Sequence, residues 1–322
     1  VAVFGGSGSD YGHSVAVDSS GNVYTTGHFQ GTVDFDPGSG TANLTAAGEE
    51  AAFVSKLDSS GNYVWAKDFV PSSGRVQGFS VAVDSSGNVY TTGNFTGTAD
   101  FDPGSGTANL TVAGDHLPQA AFVSKLDSSG NYVWAKDFVP SNYNRVVGDS
   151  VAVDSSGNVY TTGYFQGTVD FDPGSGTANL TATSSENTFV LKLDSSGGYV
   201  WAKHFGGNAS AYSVVVDSSG NVYTTGNFNY TVDFDPGPGT ANLTAKQSNR
   251  ETFVSKLDSS GGYVWAKSVA ASNPTWSAVD SSGNVYTTGS FSYTVDFDPG
   301  AGTANLTATG GSDTCVLKLD SS

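Results

Sequence analysis

The stretch that decides the fold is "VDSSGNVYTTG", residues 17–27, because it returns beginning at residues 83, 153, 216 and 279. Self-similarity at such spacing is the signature of a repeat architecture. Each copy is followed by "DFDPG", by "TANLT", by a stretch of variable length and by a strand such as "FVSKLD" (53–58). In the first four copies a turn and "YVWAK" complete the unit. The variable stretches absorb nearly all the length differences and read as surface loops.

One unit predicts four strands and an inserted small hairpin. "SVAVD" (14–18) is short and apolar; "DSSGN" turns the chain into "NVYTTGHF" (22–29). "FVSKLD" follows the insert, and a second "DSSGN" (58–62) leads into "YVWAKDF" (63–69). Asp opens each turn because its carboxylate can accept local backbone N–H groups, and Gly supplies the positive φ of a tight connection. No stretch of useful length carries a helical period. Val23 and Thr25 occupy one face of their strand and Tyr24 and Thr26 the other, so the strand needs cover on both sides. Sheets stacked face to face around an axis provide it. The prediction is an all-β, five-bladed β-propeller of four-stranded antiparallel blades, a single domain over 1–322. The repeats run over approximately 14–69, 80–138, 150–205, 213–269 and 277–322, the last with 1–6. That last repeat reaches "CVLKLDSS" without a fourth strand, and "VAVF" (1–4) is the expected replacement. The same strand offered to a neighbouring molecule would instead link molecules into a chain.

The repeat "VDSSGNVYTTGHFQGTVDFDPGSGTANLT…FVSKLDSSGNYVWAK" resembles the SBBP-type β-propeller repeat of bacterial and some archaeal cell-surface proteins. The resemblance covers essentially the whole chain, five times over. It implies the fold and an extracellular or cell-surface setting, and it implies no catalytic residues.

Composition narrows the function classes. Among 322 residues, 13% are charged and the net charge is −17. Nothing basic is clustered to neutralise phosphates, which argues against nucleic acid. No run approaches the roughly 18 apolar residues of a membrane helix. The chain starts with Val and contains no Met, which reads as a mature, processed chain or a fragment cut to resemble one. Cys315 stands where other repeats carry Phe53, Phe122, Phe189 and Phe253, so it reads as a buried apolar thiol.

The sharpest polar feature is the acidic pair of "DFDPG": Asp34 and Asp36, Asp100 and Asp102, Asp170 and Asp172, Asp233 and Asp235, Asp296 and Asp298. Residues two apart on an extended chain share a face. Two carboxylates there could be neutralised by Ca2+ with backbone carbonyls and water completing the shell. The competing reading is turn chemistry, with the second Asp capping the Pro-Gly turn and the first pairing with a Lys such as Lys56 or Lys67. Glycosylation sequons recur at Asn43, Asn109, Asn179, Asn242 and Asn305, with others at Asn94, Asn208 and Asn229. Pro274 excludes Asn273. His13, His28, His116 and His204 fall at unrelated repeat positions and form no ligand spacing. Trp65, Trp134, Trp201 and Trp265 share one mid-strand position, which favours packing over a sugar platform. Trp276 stands where other repeats carry His13, Phe79, Asp149 and Tyr212, and this variability marks a rim position.

Nothing that resembles chemistry occurs once, and the other polar features recur in every repeat. The sequence therefore predicts a non-enzymatic extracellular structural or interaction protein, a rigid scaffold with self-association into a surface layer or filament as one outcome. The alternative is a multivalent carbohydrate- or ligand-binding module. Neither reading assigns a cofactor other than Ca2+. The partners expected are copies of the chain or surface glycans and proteins.

Overall fold

The computed structural model describes residues 1–112, 118–142, 144–245, 250–269 and 276–321. Among these residues there is no helix; the chain forms antiparallel sheets throughout. The first repeat pairs Tyr11–Val17, Val23–Phe29, Ala51–Leu57 and Tyr63–Ser73 in chain order. The next three repeats each form a four-stranded sheet of the same order, and the last pairs Ser277–Val279, Val285–Phe291 and Asp313–Leu319. The "VD" and "NLT" segments form a small separate hairpin, Thr32–Asp34 with Asn43–Thr45 in the first repeat.

The sheets stack because their strands have no polar face. Every residue of Val89–Phe95 is buried. Val54 and Tyr24 of the first sheet pack with Val81, Val89 and Phe122 of the second in one core cluster. Polar links set the stacking register. Ser14, Ser80 and Ser150 each take on Oγ the backbone N–H of the following sheet, from Val81, Val151 and Val214 at 3.1–3.3 Å. Lys56 Nζ lies over the Tyr24 ring, 5.0 Å from its centroid, and donates to Ser128 O of the next sheet. Trp65 Nε1 donates to the same carbonyl. Trp134 and Trp201 repeat this contact to Ser195 O and Ser259 O, so the shared Trp position is inter-sheet packing.

Each fourth strand also serves the repeat that follows. Tyr63–Ser73 continues past its own sheet to pair Thr98–Asp100 of the second hairpin, with Phe69 and Phe101 rings 5.0 Å apart. The first residues copy that hand-off: Gly5 pairs Asp34, Gly6 pairs Val33, and the Phe4 ring is 5.4 Å from Phe35. This corrects the expected closure. Residues 1–4 lie in no strand, and the last sheet has three strands, so 1–4 do not complete it. The physical reason is locality. Phe4 reaches its pocket on the first hairpin by closing a short loop, whereas pairing with Asp313–Leu319 closes one of about 300 residues. The outer faces of the first and last sheets are consequently open. Val15 is 64% exposed and Val316 is 73% exposed, whereas their counterparts Val81 and Val54 are buried.

Candidate functional site

The antiparallel pairing gives every sheet two unlike ends. At one end the first and second strands are joined by "DSSGN", and the third and fourth by its second copy. There Asp18 Oδ1 accepts from the N–H groups of Ser20 and Asn22, and Oδ2 accepts from Asn22 Nδ2 and the Tyr24 hydroxyl. Asp84, Asp154, Asp217 and Asp280 repeat the set. At Asp280 the Asn284 amide leads the donors that hold the carboxyl down at about 2. This end is spent on holding the turns.

The opposite end is where the first strand starts, the second stops and the third starts, since Val76 and Ala120 both pair Phe95. All three arginines and all four glutamates of the chain stand here. Arg75 and Arg145 immediately precede first strands; Arg250 and Glu251 open a third strand; Glu49, Glu50 and Glu186 immediately precede third strands. The variable residues His13, Phe79, Asp149 and Tyr212 belong to the same end. Each is a bulge, the residue skipped where the ladder passes from Gly12 to Ser14, Gly78 to Ser80, Gly148 to Ser150 and Ala211 to Ser213. A bulge re-aims a side chain without disturbing the strand beyond it. The frame can thus stay constant while one residue per sheet varies.

The bulge residues meet the equally variable residue of the neighbouring strand. His13 Nε2 lies 3.1 Å from His28 Nδ1, and the His13 ring meets Phe79 of the next sheet edge-on at 5.4 Å. Burial holds both imidazoles below their usual pKa; at His28 the Glu50 carboxylate opposes that shift, and His13 and Arg75 reinforce it. The Tyr212 hydroxyl donates to the Asn227 amide oxygen at 3.0 Å. Gln30 and Gln77 donate to the two oxygens of Glu50. Arg145 is ion-paired to Glu186 and lies over the Tyr164 ring, 4.8 Å from its centroid.

Asp149 stands apart because its Oδ2 is buried with no hydrogen-bond partner. Burial drives its carboxyl up to about 8, against the pull of the Arg145 guanidinium and with a push from Glu186. The sign of the linkage follows. A carboxyl whose folded pKa is raised contributes stability below its unfolded value near 4, and that stability is lost as pH rises toward 8. Asp149→Asn should therefore gain on the parent protein by roughly 4 kcal/mol between pH 5 and pH 9. Urea midpoints at the two pH values measure this, and a gap that stays constant would refute the buried, unpaired state.

The acidic pairs close loops. Asp34 Oδ1 accepts from Asp36 N at 3.0 Å and Ala42 N at 2.8 Å, and Asp36 Oδ1 accepts from Gly38 N at 2.7 Å. The pattern recurs at Asp100 with Asp102, Asp170 with Asp172, Asp233 with Asp235 and Asp296 with Asp298. The two amides, Ala42 first, hold the Asp34 carboxyl below the usual range. The first Asp of the pair thus takes backbone amides rather than the lysine expected, because Lys56 is directed to the next sheet. No group of three or more His, Cys, Asp or Glu side chains that could hold a metal occurs among the described residues. Asn43, Asn109, Asn179, Asn242 and Asn305 are exposed on the hairpins, and Asn208 and Asn229 are half-buried. Asn94 corrects the sequon reading: it is 3% exposed inside the second strand of its sheet, out of reach of a glycosylating enzyme. His116 and Asn273 lie outside the described residues.

The sequence marked the bulge position as variable and missed what surrounds it. Its signal was available in the placement of Arg and Glu, which the repeat frame never uses.

The family model of the SBBP β-propeller repeat matches residues 4–28 and 71–101. An uncharacterized WD repeat-containing protein, L264 of Acanthamoeba polyphaga mimivirus, is 30% identical over 229 residues, which is 62% of this chain and 16% of that protein. The chain therefore spans about a sixth of that relative. Among solved structures, a Bacteroides caccae protein of unknown function aligns over 80% of this chain and 82% of its own, with TM-score 0.31 and 9% identity. The Dos1 propeller aligns over 92% of this chain and 70% of its own, with TM-score 0.34 and 12% identity. The two matched stretches, one in the first repeat and one running from its fourth strand into the second repeat, are thus similar to the SBBP β-propeller repeat.

Proposed function

We propose that the chain is a non-enzymatic interaction scaffold. Five propeller-type blades form a constant frame, and the rim of variable residues is the surface that binds. The observation that carries this reading is the partition of residue types. The turn end uses the same Asp, Ser and Asn in every repeat, whereas the rim holds every Arg and Glu and a different bulge residue in each sheet. Polar and aromatic side chains that the frame does not need, here mostly half-buried at the ends of the strands, are the kind that serve recognition. Binding is expected rather than turnover, because among the described residues the rim offers amides, guanidinium groups and rings and no nucleophile held by a base.

The test is capture on a printed array of glycans and peptides. The parent protein is compared with a rim variant, Tyr212→Ala with Trp276→Ala, and a turn variant, Ser129→Ala. The expected result is a set of captured ligands that the rim variant loses in part and the turn variant keeps. Capture lost only in the turn variant, or no capture by the parent protein, would overturn the reading.

A further inference from the structure

We infer that the groove between the second and third sheets, on this rim, binds a carboxylated sugar, a uronic acid residue of a glycan. The inference rests on the reading of the rim as the binding surface and names the ligand class of one site on it. The groove encloses about 250 Å3 and is lined by Arg75 and Arg145 from the two sheets, with Gln119, Gln166, Asn144 and Thr96 among its other walls.

The state of the three guanidinium groups singles it out. Arg145 is held by Glu186 and Tyr164. Arg250 bonds the Asn227 amide oxygen once that amide is oriented by its partners. Arg75 has no side-chain hydrogen bond or ion pair among the described residues. Its backbone bridges to Glu50, yet the Glu50 carboxylate is taken by Gln30 and Gln77. In a chain of net charge −17, one arginine is left with its whole fork of donors unspent, opposite a second arginine fixed in place. A planar carboxylate matches that fork in geometry and charge.

The other walls favour a sugar over an acidic peptide. The Gln119 side chain carries no hydrogen bond among the described residues, and Gln166 spends its amide N–H on Glu186 while its carbonyl remains. Amides bearing both donors and acceptors suit ring hydroxyls. A peptide would pair its main chain with a strand edge, and the backbone here is already used. Thr96 N donates to Arg75 O, Val146 N to Gln119 O and Gln166 N to Arg145 O, at 2.8–3.0 Å. The site occurs once. In the register of the first strands, the position of Arg75 and Arg145 is Ser9 in the first sheet and Asn208 in the fourth. Only the junction of the second and third sheets brings two arginines to one groove.

Calorimetry at low ionic strength tests this with trigalacturonate, maltotriose and triglutamate. Trigalacturonate should bind at one site per chain, and maltotriose should not bind measurably. Arg75→Gln should weaken trigalacturonate at least tenfold. Because Arg75 has no partner to lose, its circular dichroism and urea midpoint should match the parent's. Arg250→Gln, at another junction of the same rim, should change the affinity less than twofold. Absence of trigalacturonate binding, equal binding by Arg75→Gln, or tighter binding of triglutamate would each overturn the assignment. Array capture that survives Arg75→Gln but is lost in the Tyr212 and Trp276 variant would sink this site while leaving the rim reading intact.

Discussion

Gly163→Ala should cost about 3 kcal/mol or more and leave little folded protein at 37 °C. Gly163 pairs Gly148 across the first two strands of the third sheet, one step before the bulge that carries Asp149. A Cβ on Gly163 would fall 1.9 Å from Val147 O, 3.0 Å from Val147 C and 3.1 Å from Asp149 N. The obstacle is main chain, already fixed by its ladder, so no side-chain rotation relieves it. Moving the strand instead would shift Ser150, whose Oγ holds the Val214 N–H of the next sheet. A Cβ on Gly27, Gly93 or Gly226 would likewise run into a carbonyl oxygen of the facing strand, that of Tyr11, Gln77 or Ser210. The glycine in "TTG" is therefore what allows a bulge to exist in each of the first four sheets. Gly310→Ala is the control, since its Cβ would meet nothing within 4 Å; it should stay within about 0.5 kcal/mol of the parent. Urea denaturation followed by tryptophan fluorescence decides the matter, and a Gly163→Ala midpoint equal to the control's would contradict the close approach.

Phe101→Ala should cost about 3–5 kcal/mol, the range for a fully buried aromatic. Its ring lies 5.0 Å from Phe69, 5.6 Å from Phe95 and 4.8 Å from Phe122. Phe69 belongs to the preceding sheet's fourth strand, so the ring joins two repeats as well as a hairpin to its sheet. Truncation leaves a cavity walled by three rings held in separate strands, which cannot collapse together. The last repeat provides the comparison. Among the described residues Phe297 has a single ring neighbour, Phe291 at 5.1 Å, with Val269 in the same cluster and the open outer face nearby. Phe297→Ala should cost roughly half as much, because the cost depends on how well the site can close. Equal losses at both positions would show that the ring of the preceding repeat adds nothing. The same fluorescence-detected unfolding measures both, with the slopes compared to check that repeats unfold as one unit.

These two predictions also show which features could be read early. Phe101 is visible in "DFDPG" as an apolar residue between two acids, and its need for cover follows from the alternation of a strand. The glycine of "TTG" is equally visible, but its reason is the bulge of the facing strand, which no local pattern declares. In the sequence the acidic pairs fit either metal ligands or turn closers. The loop closure itself depends on Ala42 N, eight residues from Asp34, whose position the loop path sets. Asn94 looked like any other sequon, and only its place in a strand covered on both sides removes it from reach.

What the sequence by itself determined was the repeated unit, its strands and its turns. These rest on interactions between residues close along the chain: an Asp with amides two and four residues on, a Gly at positive φ, apolar residues on both faces of a strand. Only the tertiary structure decided that residues 1–6 attach to the first hairpin, and that every Arg and Glu shares one rim with the bulge residues. It also decided that Arg75 and Arg145 face one groove. The reason is that a bulge advances one strand by a residue and stacking then joins positions about 70 residues apart. Proximity there is set by register and packing, and the spacing along the chain carries no trace of either.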